Sequence, residues 1–202
     1  MSILTNNVEF KDRTIEAWTG GRDGKGVIHA TRTGYYIYKF IDPNLDLLQN
    51  RTSVHHWVIM RYAEILLSYA EAMNEAYGPT GNVGYRLNAV RALNQVRNRV
   101  GVEMPAVPTA ISKEELREKI RNERRVELAF EDHRFWDVRR WMIAPETLGA
   151  PLRGVEITKI SDEEFEYKPI EVEKRTFEPK MYLYPIPQAD LNTTGWVQNP
   201  LW

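Results

Sequence analysis

Cysteine is absent from this 202-residue chain. That removes disulfides, thiol nucleophiles, cysteine-ligated zinc and thiol lipidation from consideration. Histidine is scarce, with four residues: His29, His55, His56 and His133. None stands in a His-Glu-x-x-His helix, and His55 and His56 are adjacent, so their side chains diverge. Long apolar runs are missing too. The stretch Ile65-Leu66-Leu67-Ser68-Tyr69-Ala70 ends in Glu71, whereas a membrane-spanning helix needs about 20 apolar residues in a row. Charge of one sign is also lacking. Twenty-seven Lys and Arg against 28 Asp and Glu leave a formal net charge of −1. No electrostatic field favours nucleic acid or an anionic membrane. The residues Met1 to Phe10 carry no basic-then-apolar export signal, and composition taken alone reads as cytosolic.

The apolar content is 43% and the charged content 27%, as in an ordinary globular protein. The length suits one domain over 1–202. Within it three segments differ in texture. Residues 1–56 are loop-rich. Gly20-Gly21-Arg22-Asp23-Gly24-Lys25-Gly26 lacks the Gly-Lys-Ser/Thr ending of a phosphate loop, and Asp23-Gly24 reads as a tight turn. Tyr35 to Ile41 is aromatic and β-branched, an extended segment ended by Asp42-Pro43-Asn44.

Residues 57–143 carry helical periodicity. A first helix is expected from about Val58 to Tyr77, with Tyr62, Ile65, Leu66, Tyr69, Met73 and Ala76 recurring at helical spacing and Gly78-Pro79 as the stop. A second is expected from about Gly84 to Arg99, with Leu87, Val90, Leu93 and Val96 inward and Gly101 beyond its end. The short link predicts an antiparallel hairpin. Ser112 and Glu115 form a capping box for a third helix reaching Phe130. A fourth, Arg134 to Met142, places Trp136 and Trp141 in a core. Residues 144–202 hold two strands, Val155 to Ile160 and Phe165 to Val172. Pro169 gives the second an edge position. Tyr182 to Pro187 is extended and the tail from Asn192 is turn-rich. The fold class is mainly α, with tetratricopeptide-like helix pairs, irregular loops and a small β-hairpin, although no clean 34-residue repeat is present.

The chemistry-bearing residues point away from catalysis. Glu71 and Glu75 share a face, as do Glu123, Glu127 and Glu131. A di-metal bundle would need Glu-x-x-His pairs, and the spacing to His133 fails. Neutralisation by Arg61, Arg121, Arg124, Arg125 and Arg134 is the expected arrangement, since guanidinium forks match carboxylates. No Gly-x-Ser-x-Gly elbow is present. No catalytic residue, metal or cofactor is expected. Six tryptophans are many for this length. An indole stacks on the C–H face of a sugar as well as in a core. Trp18 lies in the loop-rich segment beside Arg22 and Asp23, which can hydrogen-bond hydroxyls. With Tyr35 and Tyr36 they form the candidate ligand-binding set. Exposure of Trp18, Tyr35 and Tyr36 on one concave face would favour sugar binding; burial would favour a scaffold.

Four ordered motifs carry a family resemblance. Arg61 to Ala72 resembles the R-x-A-E-x-x-L-x-Y-A-E-A helix of SusD/RagB proteins. Leu93-Asn94-Gln95-Val96-Arg97-Asn98-Arg99-Val100-Gly101 resembles L-N-x-V-R-x-R-A-G. Arg121 to Trp141 resembles the family's most recognisable stretch. Tyr184-Pro185-Ile186-Pro187, Asn192 and Gln198-Asn199-Pro200 resemble its closing signature, with Leu201 where glycine is common and Asp190 where glutamate is commoner. The resemblance implies a helical scaffold acting as a lid on a SusC-like TonB-dependent outer-membrane transporter, capturing glycans, or sometimes peptides, at the cell surface. It implies that these motifs are scaffold and that the ligand site lies in variable loops. Family members are more than twice as long and are exported and lipidated, so the chain is expected to be their C-terminal portion. The leading expectation is a glycan-binding protein. The alternative is a helical scaffold that docks the transporter without its own ligand site. Missing partner helices would leave an apolar face open, and with it self-association or marginal stability.

Overall fold

The computed structural model describes residues 2–54 and 56–202. The chain divides into two compact units: His56–Trp136, and Met1–His55 together with Asp137–Trp202.

The first of these is helical. It contains α1 (Tyr62–Tyr77), α2 (Ala89–Arg97) and α3 (Lys113–Glu127), with α1 packed against both α2 and α3. Helix α4 (His133–Arg140) spans the division between the units. Leu66, Leu67, Ala70 and Met73 of α1 meet Val90, Leu93 and Val96 of α2 and Leu116 and Ile120 of α3 in one buried cluster. This is the tetratricopeptide-like pairing expected from the spacing. Several helix boundaries fall elsewhere than the periodicity suggests; α2 also ends at Arg97, two residues early, and α4 runs one residue earlier at its start and two at its end. Helix α1 begins four residues later than Val58, because Arg61 is extended (φ −145°, ψ 159°). Helix α2 begins at Ala89, where Asn88 accepts a hydrogen bond from the Arg91 N–H at 2.9 Å. A side-chain cap of this kind satisfies one of a helix's orphan donors. Helix α3 stops at Glu127 rather than Phe130, since Phe130 and Asp132 both take left-handed φ, at 63° and 61°. The capping box is present: Ser112 Oγ accepts from Glu115 N at 3.1 Å and Glu115 Oε2 accepts from Ser112 N at 3.1 Å.

The second unit is built from hairpins and irregular chain. Strands β1 (Ile3–Leu4) and β4 (Tyr36–Ile37) pair antiparallel, as do β2 (Glu9–Phe10) and β3 (Arg13–Thr14). The longest hairpin joins β5 (Leu152–Lys159) to β6 (Phe165–Glu173), with Val155 opposite Pro169. In a two-stranded sheet every strand is an edge, so Pro169 removes no ladder bond that a neighbour needs. The aromatic stretch from Tyr35 yields only β4, shorter than its composition suggests. Two short helices, α5 (Ala144–Thr147) and α6 (Gln188–Thr194), were not foreseen; the second lies in and just before the turn-rich tail. Leu4, Ile15, Ala17 and Ile157 form the unit's small buried core.

Trp136 is 58% exposed, contrary to its expected core position, and stands edge-on to Phe135 at 5.1 Å. The reason is register. Asp137 and Val138, the next two positions, occupy the buried face of α4. Trp141 is half-buried beneath the Arg140 guanidinium, 4.7 Å from its ring centre.

Candidate functional site

The loop-rich segment is held in place by β5. Thr19 N–H donates to the Ile157 carbonyl at 2.8 Å, and Val155 N–H donates to the Thr33 carbonyl at 2.8 Å. The chain on either side of the glycine-rich loop is thereby tied to one strand edge. The approach is close at Gly154, where an added Cβ would lie 2.7 Å from the Cα and carbonyl oxygen of Thr33. Gly34, at φ +79°, turns the chain away from this crossing.

Within that frame the five candidate residues occupy one neighbourhood with unequal freedom. Trp18 is half-buried on the small core, 5.4 Å from the Phe165 ring, with Lys159 Nζ 5.2 Å from its ring centre. Tyr36 is also half-buried. Its hydroxyl donates to the Asp23 carbonyl at 2.7 Å and accepts from Thr31 N–H at 3.2 Å. Asp23 is held by a bidentate fork from Arg13, at 2.6 and 2.8 Å, and by Glu16 N–H at 3.0 Å. The Arg13 hydrogen bonds hold the Asp23 carboxyl below its ordinary range, against the opposing effect of burial. Arg22 and Tyr35 are exposed. The Arg22 backbone N–H is bonded to Glu16 Oε2 at 3.1 Å, which ties this turn of the loop to Glu16. So Trp18, Asp23 and Tyr36 shape the corner, and Arg22 and Tyr35 are the groups it presents to solvent. Arg13, which sequence reasoning passed over, anchors it; only its fork onto Asp23 reveals it.

The recognisable motifs do different work. Arg61 donates from Nη1 to Glu127 Oε1 at 2.6 Å, from Nη2 to the Glu127 carbonyl at 2.6 Å, and from Nε to Glu131 Oε2 at 2.7 Å. Arg99 pairs with Glu127 at 2.9 Å, Arg97 with Glu123 at 2.5 Å, and Arg117 with Glu75 at 2.6 Å. Glu75, Glu123, Glu127 and Glu131 are thus paired with arginine, Glu127 and Glu131 through Arg61 as expected. Arg121 bonds Glu118 and Arg124 bonds the Ser68 hydroxyl, while the α2 arginines Arg97 and Arg99 take roles that the linear spacing did not reveal. Burial raises the Glu127 carboxyl, but hydrogen bonds from Arg61 and Arg99 outweigh it and leave the group lowered. Asn94 brackets Val107, accepting from its N–H at 2.8 Å and donating to its carbonyl at 2.9 Å. Gln198 brackets Ile186 in the same way, at 2.8 and 2.9 Å. These are structural clasps. Among the described residues no group of three His, Asp or Glu is placed to hold a metal ion, and no helix is long and apolar enough to cross a membrane. His55 lies outside the described residues.

The arrangement defines a helical unit with tetratricopeptide-like pairs and a separate hairpin unit, the motif residues of the former engaged in holding helices together. Comparison with known proteins agrees. The model of the SusD family matches residues 7–202. The chain belongs to the SusD family. It is similar to the SusD-like protein P2 of Formosa agariphila, 34% identical over 120 residues, which is 57% of this chain and 22% of that protein. A SusD-like protein of Bacteroides fragilis superposes with a TM-score of 0.78 at 33% identity, over 100% of this chain and 38% of its own. A SusD-like carbohydrate binding protein of the same species gives 0.70 at 31%, over 95% and 39%. The chain therefore spans about a fifth of the curated relative's length and under two fifths of the solved ones.

Proposed function

We propose that this protein binds glycans at the bacterial outer surface and delivers oligosaccharides to a SusC-like TonB-dependent transporter in the outer membrane. The observation that carries the reading is the 31% identity and shared fold with a relative described as carbohydrate binding. The role is capture, with no catalytic step and no cofactor. The ligand face is the loop corner of Trp18, Arg22, Asp23, Tyr35 and Tyr36. Tyr35 offers an exposed aromatic face for a sugar's C–H surface. Arg22 offers donors to ring hydroxyls. Trp18, Asp23 and Tyr36 hold the corner in shape.

A second reading has its own support. Trp18 and Tyr36 pack on the small core and the Tyr36 hydroxyl is bonded within the protein, which favours a scaffold that docks the transporter without a sugar site.

An oligosaccharide screen by calorimetry and affinity gel separates the two. Under the glycan reading Tyr35→Ala weakens binding roughly tenfold, the worth of one stacked aromatic. Trp18→Ala abolishes binding at the reorganised corner. A folded sample that binds none of the screened polysaccharides, yet still co-purifies with the transporter, would establish the scaffold reading.

A further inference from the structure

The chain from Phe40 to Ser53 folds back on itself around a pocket of about 370 Å³, which lies wholly within the hairpin unit. Local contacts close it. Phe40 takes a left-handed φ of 68°, and Ile41 N–H donates to the Tyr38 carbonyl at 3.0 Å. Asp46 Oδ1 accepts from the backbone N–H of Leu48 at 3.1 Å and of Gln49 at 3.2 Å. The Asp46 carbonyl accepts from Arg51 N–H at 3.0 Å. An aspartate used in this way holds a turn without any distant partner.

The pocket has an apolar side and a polar side. Phe40 and Leu45, both half-buried, give the first; Asp42, Arg51, Thr52 and Ser53 give the second. The acids of this loop are already engaged. Asp42 Oδ1 accepts from Asn44 N–H at 2.9 Å. Hydrogen bonds from Asn44 and from the Ser53 hydroxyl, with the charge of Lys11 nearby, hold the Asp42 carboxyl below its ordinary range. The cations are in excess. Arg51 makes no ion pair with another described residue, and the Thr52 hydroxyl makes no hydrogen bond with one. Lys11 Nζ donates to the Leu45 carbonyl at 3.1 Å, and Lys39 Nζ stands 5.6 Å from the Phe40 ring centre. One cation therefore lines the pocket and two more sit on residues that line it, against two carboxylates that backbone N–H groups already hold.

We propose that this pocket is a second saccharide subsite, and that it takes an acidic sugar, a pyranose bearing a carboxylate or a sulfate. The sugar's C–H face rests on Phe40 and Leu45, its oxyanion pairs with Arg51, and a ring hydroxyl bonds Thr52. That the ligand is a sugar rests on the glycan reading; that it is an anion rests on the unpaired guanidinium. The volume is at the small end of the range for ligand sites, so one sugar residue fills it. The chain from Tyr36 of the corner to Phe40 spans at most about 14 Å, a length that one oligosaccharide bridges.

The test is an NMR titration of the whole chain, read at the backbone amides between Phe40 and Ser53. The probes are glucuronate, sulfated glucose, glucose and inorganic sulfate. At least one acidic sugar should shift these amides saturably, and whichever acts identifies the oxyanion. Glucose and inorganic sulfate should bind at least roughly tenfold more weakly, since each lacks half of the contacts. Arg51→Gln should weaken the acidic sugar about tenfold, the worth of one charge-assisted hydrogen bond, and Arg51→Lys should recover part of it. The melting temperature should not move in either variant, because Arg51 is exposed and unpaired. Tyr35→Ala, at the corner, should leave these shifts intact. Acidic sugars that do not move these amides, glucose or inorganic sulfate that binds as tightly as they do, or an Arg51→Gln variant that binds like the parent would each overturn the proposal. Failure of the corner reads elsewhere, as oligosaccharides that never shift the Arg22 and Tyr35 amides, and it leaves the result at the pocket standing.

Discussion

Arg61→Ala should be the most damaging single change at a residue that is not in the apolar core. Arg61 precedes α1 and its guanidinium makes three charge-assisted or carbonyl hydrogen bonds, to Glu127 and Glu131. The partner carboxylates are 10% and 4% exposed in their side chains. Removing one member of a buried pair costs about 3–5 kcal/mol because the remaining charge is desolvated without its partner. Here Glu127 keeps Arg99 at 2.9 Å, and Arg61 is itself 28% exposed, so the lower part of that range applies. The expected loss is about 3 kcal/mol. For a helical unit of this size that corresponds to a fall of roughly 15 °C in the melting temperature of the helical signal at 222 nm. Arg61→Lys keeps the charge but cannot fork between two carboxylates and a carbonyl, so it should recover only part of the loss. Urea titration of the same variants gives the free energy directly, with an unchanged m-value showing that compactness is preserved. A loss under about 1 kcal/mol for Arg61→Ala would refute the view that this residue is the hub of the helical unit.

Acidification should destabilise the fold through the same groups. Glu127 and Asp23 are both lowered in the folded state, so the unfolded chain binds protons first and stability falls with pH. The decline should begin near the unfolded carboxylate values, about pH 4–4.5, and continue down through the folded ones. Glu127→Gln should lose stability at neutral pH, and its deficit against the parent should shrink as pH falls through that window in denaturant titrations. Leu67→Ala, at a fully buried position, should cost about 2–5 kcal/mol by chemical denaturation. Gly154→Ala should cost about 1–3 kcal/mol, because its Cβ would press on the Thr33 backbone at 2.7 Å. Faster amide exchange at Val155 would locate that damage.

Local spacing determined much of this protein. The stripe of Val90, Leu93 and Val96, the capping box of Ser112 and Glu115, the stop of α1 at Gly78 and the family motifs are readable because each depends on neighbours within a few residues. The same logic failed where a distant partner decides. Val58 to Met60 stay out of α1 because the chain enters it extended at Arg61, whose side chain is bound to Glu127 and Glu131, about 70 residues away. The open stripe of α1 could not be told from its core stripe, since Tyr62, Ile65, Leu66 and Met73 all lie on apolar helical spacings. Only the positions of α2 and α3 show which are covered. The candidate corner was legible as a list of residues but not as an arrangement. That Arg13 holds Asp23 and that Tyr36 closes onto the Asp23 carbonyl follows from how β4 and the loops meet. Sequence determines what each short segment presents on each side. Which of those sides meet, and so which groups remain for a ligand, is decided by packing between segments far apart in the chain.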